Sequence, residues 1–259
     1  MSDKTGIEWT DATWNPVRGC SRVSEGCRNC YAENVAARFS GPGLPYEGLA
    51  HRTASGEARW SGVVRLAESA LEQPLRWKRQ RRIFVNSMSD LFHEKLSDGD
   101  IARVFRVMAE ASHHTFQVLT KRADRMREWF KWVDGLGMGP DGKARERGNM
   151  HFREGVERPW PLPNVWLGVS VESADYVSRI DDLRATPAAV RFLSLEPLLG
   201  PLPNINLRGI DWAIGGGESG ANARQPHPQW LRDIRDRCLA NGVPYFHKQN
   251  GEWVLRVRD

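Results

Sequence analysis

Three of the four cysteines in this 259-residue chain fall within eleven positions: Cys20, Cys27 and Cys30, separated by six residues and then by two. Thiolates gathered this closely in a reducing cytoplasm read as a metal or cluster site rather than as disulfide partners. Three of them can hold three irons of a [4Fe–4S] cube and leave the fourth iron open for chemistry. A structural zinc ion ordinarily takes four ligands. His51 could supply a fourth, although nothing in the local spacing singles it out. Cys238 stands far away on an amphipathic segment and reads as a small buried apolar residue.

Further polar residues recur where short apolar runs end. Asn86, Ser87 and Asp90 follow one run, and Lys121 follows Thr120 at the end of another. Ser170 and Glu172 close a third, Glu196-Pro197 a fourth, Glu218 follows the glycines 215–217, and Lys248 lies in the last. Each has a simpler reading as a helix cap or a solvated charge near a helix terminus. Glu172, Glu196 and Glu218 together could also form a two-metal carboxylate site, which would make the chain a carboxylate-metal hydrolase. His93, His113 and His114 read as loop or helix-surface residues, and the basic run Trp77–Arg82 as a phosphate grip or a solvated helix end.

The elements that must position these residues alternate. Strands are expected at Gly6–Trp9, Ile83–Asn86, Phe116–Leu119, Val165–Val171, Val190–Leu193, Ile210–Ile214 and Val243–Phe246. Helices are expected at Tyr31–Phe39, Val64–Arg79, Asp100–Ser112, Ala123–Val133, Ala174–Ala185 and Gln229–Asn241. Alternation of this kind implies parallel β/α units. The expected fold class is α/β, a partial or distorted (β/α) barrel with about six parallel strands, the length of one such domain being about 250 residues. One domain over 1–259 is expected, with the cysteines in a loop at 14–32. Ser40–Ser61 reads as irregular, and 134–164, rich in Gly, Pro and charge, as an insertion or lid.

Composition narrows the function classes. No apolar run approaches the ~20 residues of a membrane span. The N-terminus lacks a secretory apolar stretch, so a cytoplasmic protein with no membrane partner is expected. The net charge of +5 and a pI near 9.2 favour a polyanionic partner. Some of the 11 Trp residues could stack on bases.

The segment Asn15-Pro16-Val17-Arg18-Gly19-Cys20, continued by Cys27-Arg28-Asn29-Cys30-Tyr31-Ala32, resembles the cluster loop of radical S-adenosylmethionine (SAM) enzymes of the spore photoproduct lyase branch. It departs in having six residues rather than three between the first two cysteines. Over nearly its whole length the chain also resembles a largely uncharacterised phage-associated family with this longer three-cysteine motif. The resemblance implies a [4Fe–4S] cluster on Cys20, Cys27 and Cys30, SAM as the second cofactor, and a reducing protein such as flavodoxin or ferredoxin as electron donor. It implies that Asn86 and Ser87 meet the methionine amino group, and it matches Asp90 to an Asp of the branch. It gives Lys121 to the SAM carboxylate and Ser170 and Glu172 to the ribose. Glu196 and Glu218 would complete the rim around cofactor or substrate hydroxyls. The leading substrate class is a nucleic acid base, in DNA repair or nucleic acid modification, with a peptide or small metabolite as alternatives. The competing reading of the trio is a non-catalytic, zinc-stabilised nucleic-acid-binding module.

Overall fold

A computed structural model describes residues 5–135, 159–220 and 222–252. The expected insertion at 134–164 therefore lies largely outside the described residues. In chain order the strands are β1 (Ala12–Trp14), β2 (Val17–Arg18), β3 (Ala50–Arg52), β4 (Ala58–Trp60), β5 (Arg65–Leu66), β6 (Arg82–Val85), β7 (Thr115–Thr120), β8 (Val165–Ser170), β9 (Val190–Leu195), β10 (Trp212–Gly216) and β11 (Tyr245–Gln249). The helices are α1 (Tyr31–Arg38), α2 (Glu68–Leu71), α3 (Asp98–Glu110), α4 (Ala123–Val133), α5 (Ser178–Arg184) and α6 (Pro228–Ala240).

Seven strands form one parallel sheet in the order β1-β6-β7-β8-β9-β10-β11, curled into half of a barrel. Helices α3, α4, α5 and α6 each cross between neighbouring strands. The β9–β10 connection carries no regular helix, as its prolines require. No helix among the described residues is long and apolar enough to cross a membrane.

Four local expectations are revised. The first strand is Ala12–Trp14, not Gly6–Trp9. Asp11 accepts from the Arg82 backbone N–H at 2.7 Å, and Thr10 donates to the Arg82 carbonyl at 2.9 Å. Those bonds start the pairing with β6 after Trp9, whose indole turns into the barrel. The helix expected over Val64–Arg79 is broken into β5, α2 and a short 3-10 turn, because Pro74 has no N–H to continue the α2 ladder and is accommodated only in the first turn of a new helix. The stretch 40–61 contains the antiparallel hairpin β3–β4, against which α1 packs. His93 and His114 are buried rather than superficial, each hydrogen-bonded to loop groups.

The sheet's two faces follow the strand period of two. Ile83, Val85, Phe116, Val118, Val165 and Leu167 face the helices in the main core. The alternate residues Phe84, Leu119, Trp166, Phe192 and Ile214 line the concave side, joined by Trp212 and plugged by Trp9. The Trp9 ring lies 4.7 Å from Phe84, and Trp212 stacks on Phe192 at 5.2 Å. The half-barrel is thus filled at its base by aromatic side chains, and a hollow can persist only at the strands' C-terminal ends. Because Trp9 is buried, Trp9→Ala is expected to cost roughly 3–5 kcal/mol. The check is a lower urea midpoint at an unchanged slope.

Candidate active site at the mouth of the half-barrel

The concave face changes character along each strand. On β6 the inward series runs Phe84 then Asn86; on β9 it runs Phe192, Ser194, Glu196; on β11, Phe246 then Lys248. Apolar residues at the base give way to polar ones at the C-terminal ends. Those ends surround a cavity of about 310 Å³ with Ile7, Trp9, Phe84 and Leu119 as its floor. Cys20, Cys27 and Cys30 all line it, with Asn86, Ser87, Asp90, Lys121, Ser170, Glu196, Glu218 and Lys248.

The cysteine loop between β2 and α1 has little regular structure of its own, so its shape is imposed from below. Arg122, after β7, donates to the Ser21 carbonyl at 3.1 Å and to Ser21 Oγ at 2.9 Å, and it is held by Asp90 at 3.1 Å and Glu94 at 2.8 Å. His93 Nδ1 accepts from the Lys95 N–H, so Nε2 carries the proton and donates to Ser21 Oγ at 2.9 Å. Ser24 donates to Glu172 at 2.7 Å. Asn29 donates to Glu218 at 2.9 Å, and Arg224 joins Glu218 to the Glu25 carbonyl. Arg22 binds Glu33 and the Arg28 carbonyl within the loop. Gly26 is required for this seat, since a Cβ there would stand 2.5 Å from the Glu172 side chain.

Glu172 is fully buried and forms no part of the cavity wall. Its carboxylate takes Lys121 Nζ at 3.0 Å, Arg179 at 2.8 Å and the Ser24 hydroxyl. Burial alone would raise its pKa, but the two cations outweigh burial and hold it below the usual carboxylate range. Glu218 behaves in the same way, burial being outweighed by hydrogen bonds from Arg224 and Asn29. Glu196 accepts from Lys248 at 2.6 Å and from Gln249 at 3.1 Å. The three carboxylates therefore each hold their own cation and do not converge on one point. Among the described residues no three His, Cys, Asp or Glu side chains are gathered as a single metal ion requires.

A cluster would be held by cysteine thiolates, each sulfur on its own iron. Burial, reinforced by the Asp90 charge, pushes the Cys20 thiol up to about 12, while Arg122, 4.0 Å from the sulfur, opposes that rise. Burial also raises Cys30, against which the Glu33 and Ala32 backbone N–H groups in the first turn of α1 favour the thiolate. Ser24 Oγ lies 3.8 Å from Cys27 Sγ. Each sulfur thus has a polar neighbour, and metal entry would be coupled to proton release.

Asn86 adopts φ 60°, a left-handed conformation that asparagine tolerates better than most residues. Its Oδ1 accepts from the Val17 N–H at 3.3 Å, and Nδ2 is buried without a protein partner. Asn86 as a residue lines the cavity, as the sequence places it. The Ser87 carbonyl accepts from the Tyr31 hydroxyl, and Ser87 Oγ donates to Asn15 at 3.3 Å. Asp90 is saturated: Thr120, the Phe92 and Lys121 amides and Arg122 occupy both oxygens. It joins the β6 and β7 ends rather than presenting a free acceptor. Gly217 sits against the backbone of Asn250 and Gly251, where a Cβ would not fit, and also lines the cavity. The basic run Trp77–Arg82 enters the N-terminal end of β6, opposite the cavity.

The sequence did not single out Arg122, Arg179, Arg224, His93, Ser24 or Asn29. Arg122 had a usable signal, an arginine directly after the polar end of β7. The others are tied to their partners only by the folded chain.

A family profile described as "Protein of unknown function (DUF5131)" matches residues 4–258. No curated protein and no solved structure matches the chain.

The Glu172 cluster generates a stability prediction. Removing its charge leaves Lys121 and Arg179 facing each other without a counter-ion, so Glu172→Gln is expected to cost about 3 kcal/mol. Because the folded-state pKa is depressed, the native protein holds this contribution above the unfolded-state pKa of about 4.3 and loses it as pH falls through the lower folded value. Urea denaturation from pH 7 to pH 3 should show a steeper loss for the native chain than for the variant.

Proposed function

The chain belongs to this family of unknown function, and for it we propose a radical SAM activity, with a [4Fe–4S] cluster on Cys20, Cys27 and Cys30. One observation carries the reading: three half-buried cysteines, each beside a polar group, line a single cavity at the C-terminal mouth of a parallel half-barrel. That end of a parallel β/α barrel is where such folds place their chemistry. Held there, the cluster and SAM would supply one-electron reductive chemistry that ends in hydrogen abstraction from substrate.

The chain's own residues hold and shield. Lys121, at 3.0 Å from Glu172, presents an ammonium on the cavity wall and suits the SAM carboxylate. Asn86 and Ser87 line the same wall and suit the methionine amino group. Ser170 and Ser194 line the adjoining wall and suit ribose hydroxyls. Glu196 and Glu218, each held by a cation, present fixed oxygens toward the rim. The floor of Ile7, Trp9, Phe84 and Leu119 excludes water. The net charge of +5 and an apolar floor that includes two aromatic rings support a nucleic acid base as substrate.

The test is made without oxygen. After reconstitution with iron and sulfide and reduction by dithionite, we expect a [4Fe–4S]⁺ electron paramagnetic resonance signal that changes on adding SAM, together with 5′-deoxyadenosine. Cys27→Ala should lose the nucleoside while retaining its circular dichroism spectrum. A colourless protein that binds one zinc per chain and ignores SAM would overturn the proposal in favour of a zinc-stabilised binding module.

A further inference from the structure

The three thiols share a cavity but not an electrostatic environment. Among the described residues, only Cys20 has a charged side chain within hydrogen-bond reach of its sulfur, Arg122 Nη1 at 4.0 Å. Cys27 has the neutral Ser24 hydroxyl at 3.8 Å. Cys30 has the Glu33 and Ala32 backbone N–H groups. The Arg122 side chain is 6% exposed, so water and salt screen its charge little. A guanidinium keeps that charge at any working pH.

Four further bonds stop Arg122 from swinging clear of the sulfur. Nη2 donates to the Ser21 carbonyl and hydroxyl, Nη1 to Asp90, and Nε to Glu94. Asp90 is as deeply buried as Arg122, its side chain being 8% exposed, and lies 3.1 Å from it. The two charges act on Cys20 in opposite senses: Asp90 disfavours its thiolate and Arg122 favours it. Glu94 reaches Arg122 from the solvent side and is 59% exposed. Its charge is therefore better screened.

We infer that Arg122 is a positioning residue that sets the reduction potential of the cluster through Cys20, with Asp90 acting against it. The inference rests on the reading that Cys20 holds a cluster. Net charge and hydrogen bonds at the ligand sulfurs tune such potentials. A fixed cation beside the sulfur favours the reduced, more negative cluster, and a fixed anion favours the oxidised one. Without Arg122, the Asp90 charge would act on Cys20 unopposed. Cys27 and Cys30 have no comparable charge in contact, so the control falls on one ligand of the three.

The test uses the full chain, reconstituted with iron and sulfide without oxygen. A potentiometric titration with dithionite, followed by the [4Fe–4S]⁺ electron paramagnetic resonance signal, reads the midpoint potential and needs neither SAM nor substrate. Arg122→Gln should lower it by about 59 mV, a tenfold change in the one-electron equilibrium. Asp90→Asn should raise it. Glu94→Gln, on the exposed side chain, should raise it by less. Opposite signs in the first two variants could not come from a loosened loop, because both break the same ion pair. Potentials that stay at the native value, or that move in one direction in both buried variants, overturn the inference. Where a buried variant fails to hold iron, the sign in the other and in Glu94→Gln decides. A native chain that gives no [4Fe–4S]⁺ signal would instead remove the cluster reading itself.

Discussion

Everything at the mouth of this half-barrel depends on buried and half-buried carboxylates being neutralised by neighbouring cations. Glu172 is held by Lys121 and Arg179, Glu218 by Arg224, Asp90 by Arg122, and Glu196 by Lys248. An unpaired charge in such a position would be prohibitively costly, whereas a paired and hydrogen-bonded one is tolerable. Three of the four assemblies also grip the cysteine loop, through Ser24, through Asn29 and the Glu25 carbonyl, and through Ser21. A loop with only a short 3-10 turn of its own thereby acquires a defined shape over the cavity.

The same pairs explain why polar groups crowd the cavity without forming a conventional ion site. The sheet ends deliver carboxylates at β8, β9 and β10, and each is consumed by a local cation. Beside Glu196 and Glu218 the hollow is lined by the three thiols, the two inward serines, and Lys121 and Lys248, each already paired with a carboxylate. A ligand entering there would meet sulfur, hydroxyls and fixed ion pairs, with an apolar floor beneath.

Much of the sheet was legible because its strands are short, apolar and bounded by turn residues; Phe116–Leu119 and Val165–Val171 needed only small adjustments to their ends. The failures have specific causes. Gly6–Trp9 has strand composition, but Thr10 and Asp11 begin pairing only beyond it. Val64–Arg79 has enough helix formers, but Pro74 divides it. At the site, the cysteine spacing and the polar strand ends could be read along the chain. Arg224 and His93 could not, because their partners lie on other loops: Arg224 bonds the Glu25 carbonyl and His93 bonds Ser21 Oγ. Glu172 was legible as a functional carboxylate position but not as a buried brace, since burial is a property of the assembled loop.

The alternation on the concave face carries a consequence for how such a chain can change. Phe84 and Asn86, or Phe192, Ser194 and Glu196, share one parity along their strands, while Ile83, Val85 and Leu193 take the other and fill the core. A single inserted or deleted residue within a strand would reverse both assignments together, sending aromatics outward and carboxylates into the helix-packed layer. Stability and chemistry are therefore written in one reading frame of the sheet. Length variation is confined to the connections between strands, and a new specificity must arise by replacement at fixed positions or by rebuilding the loops above them.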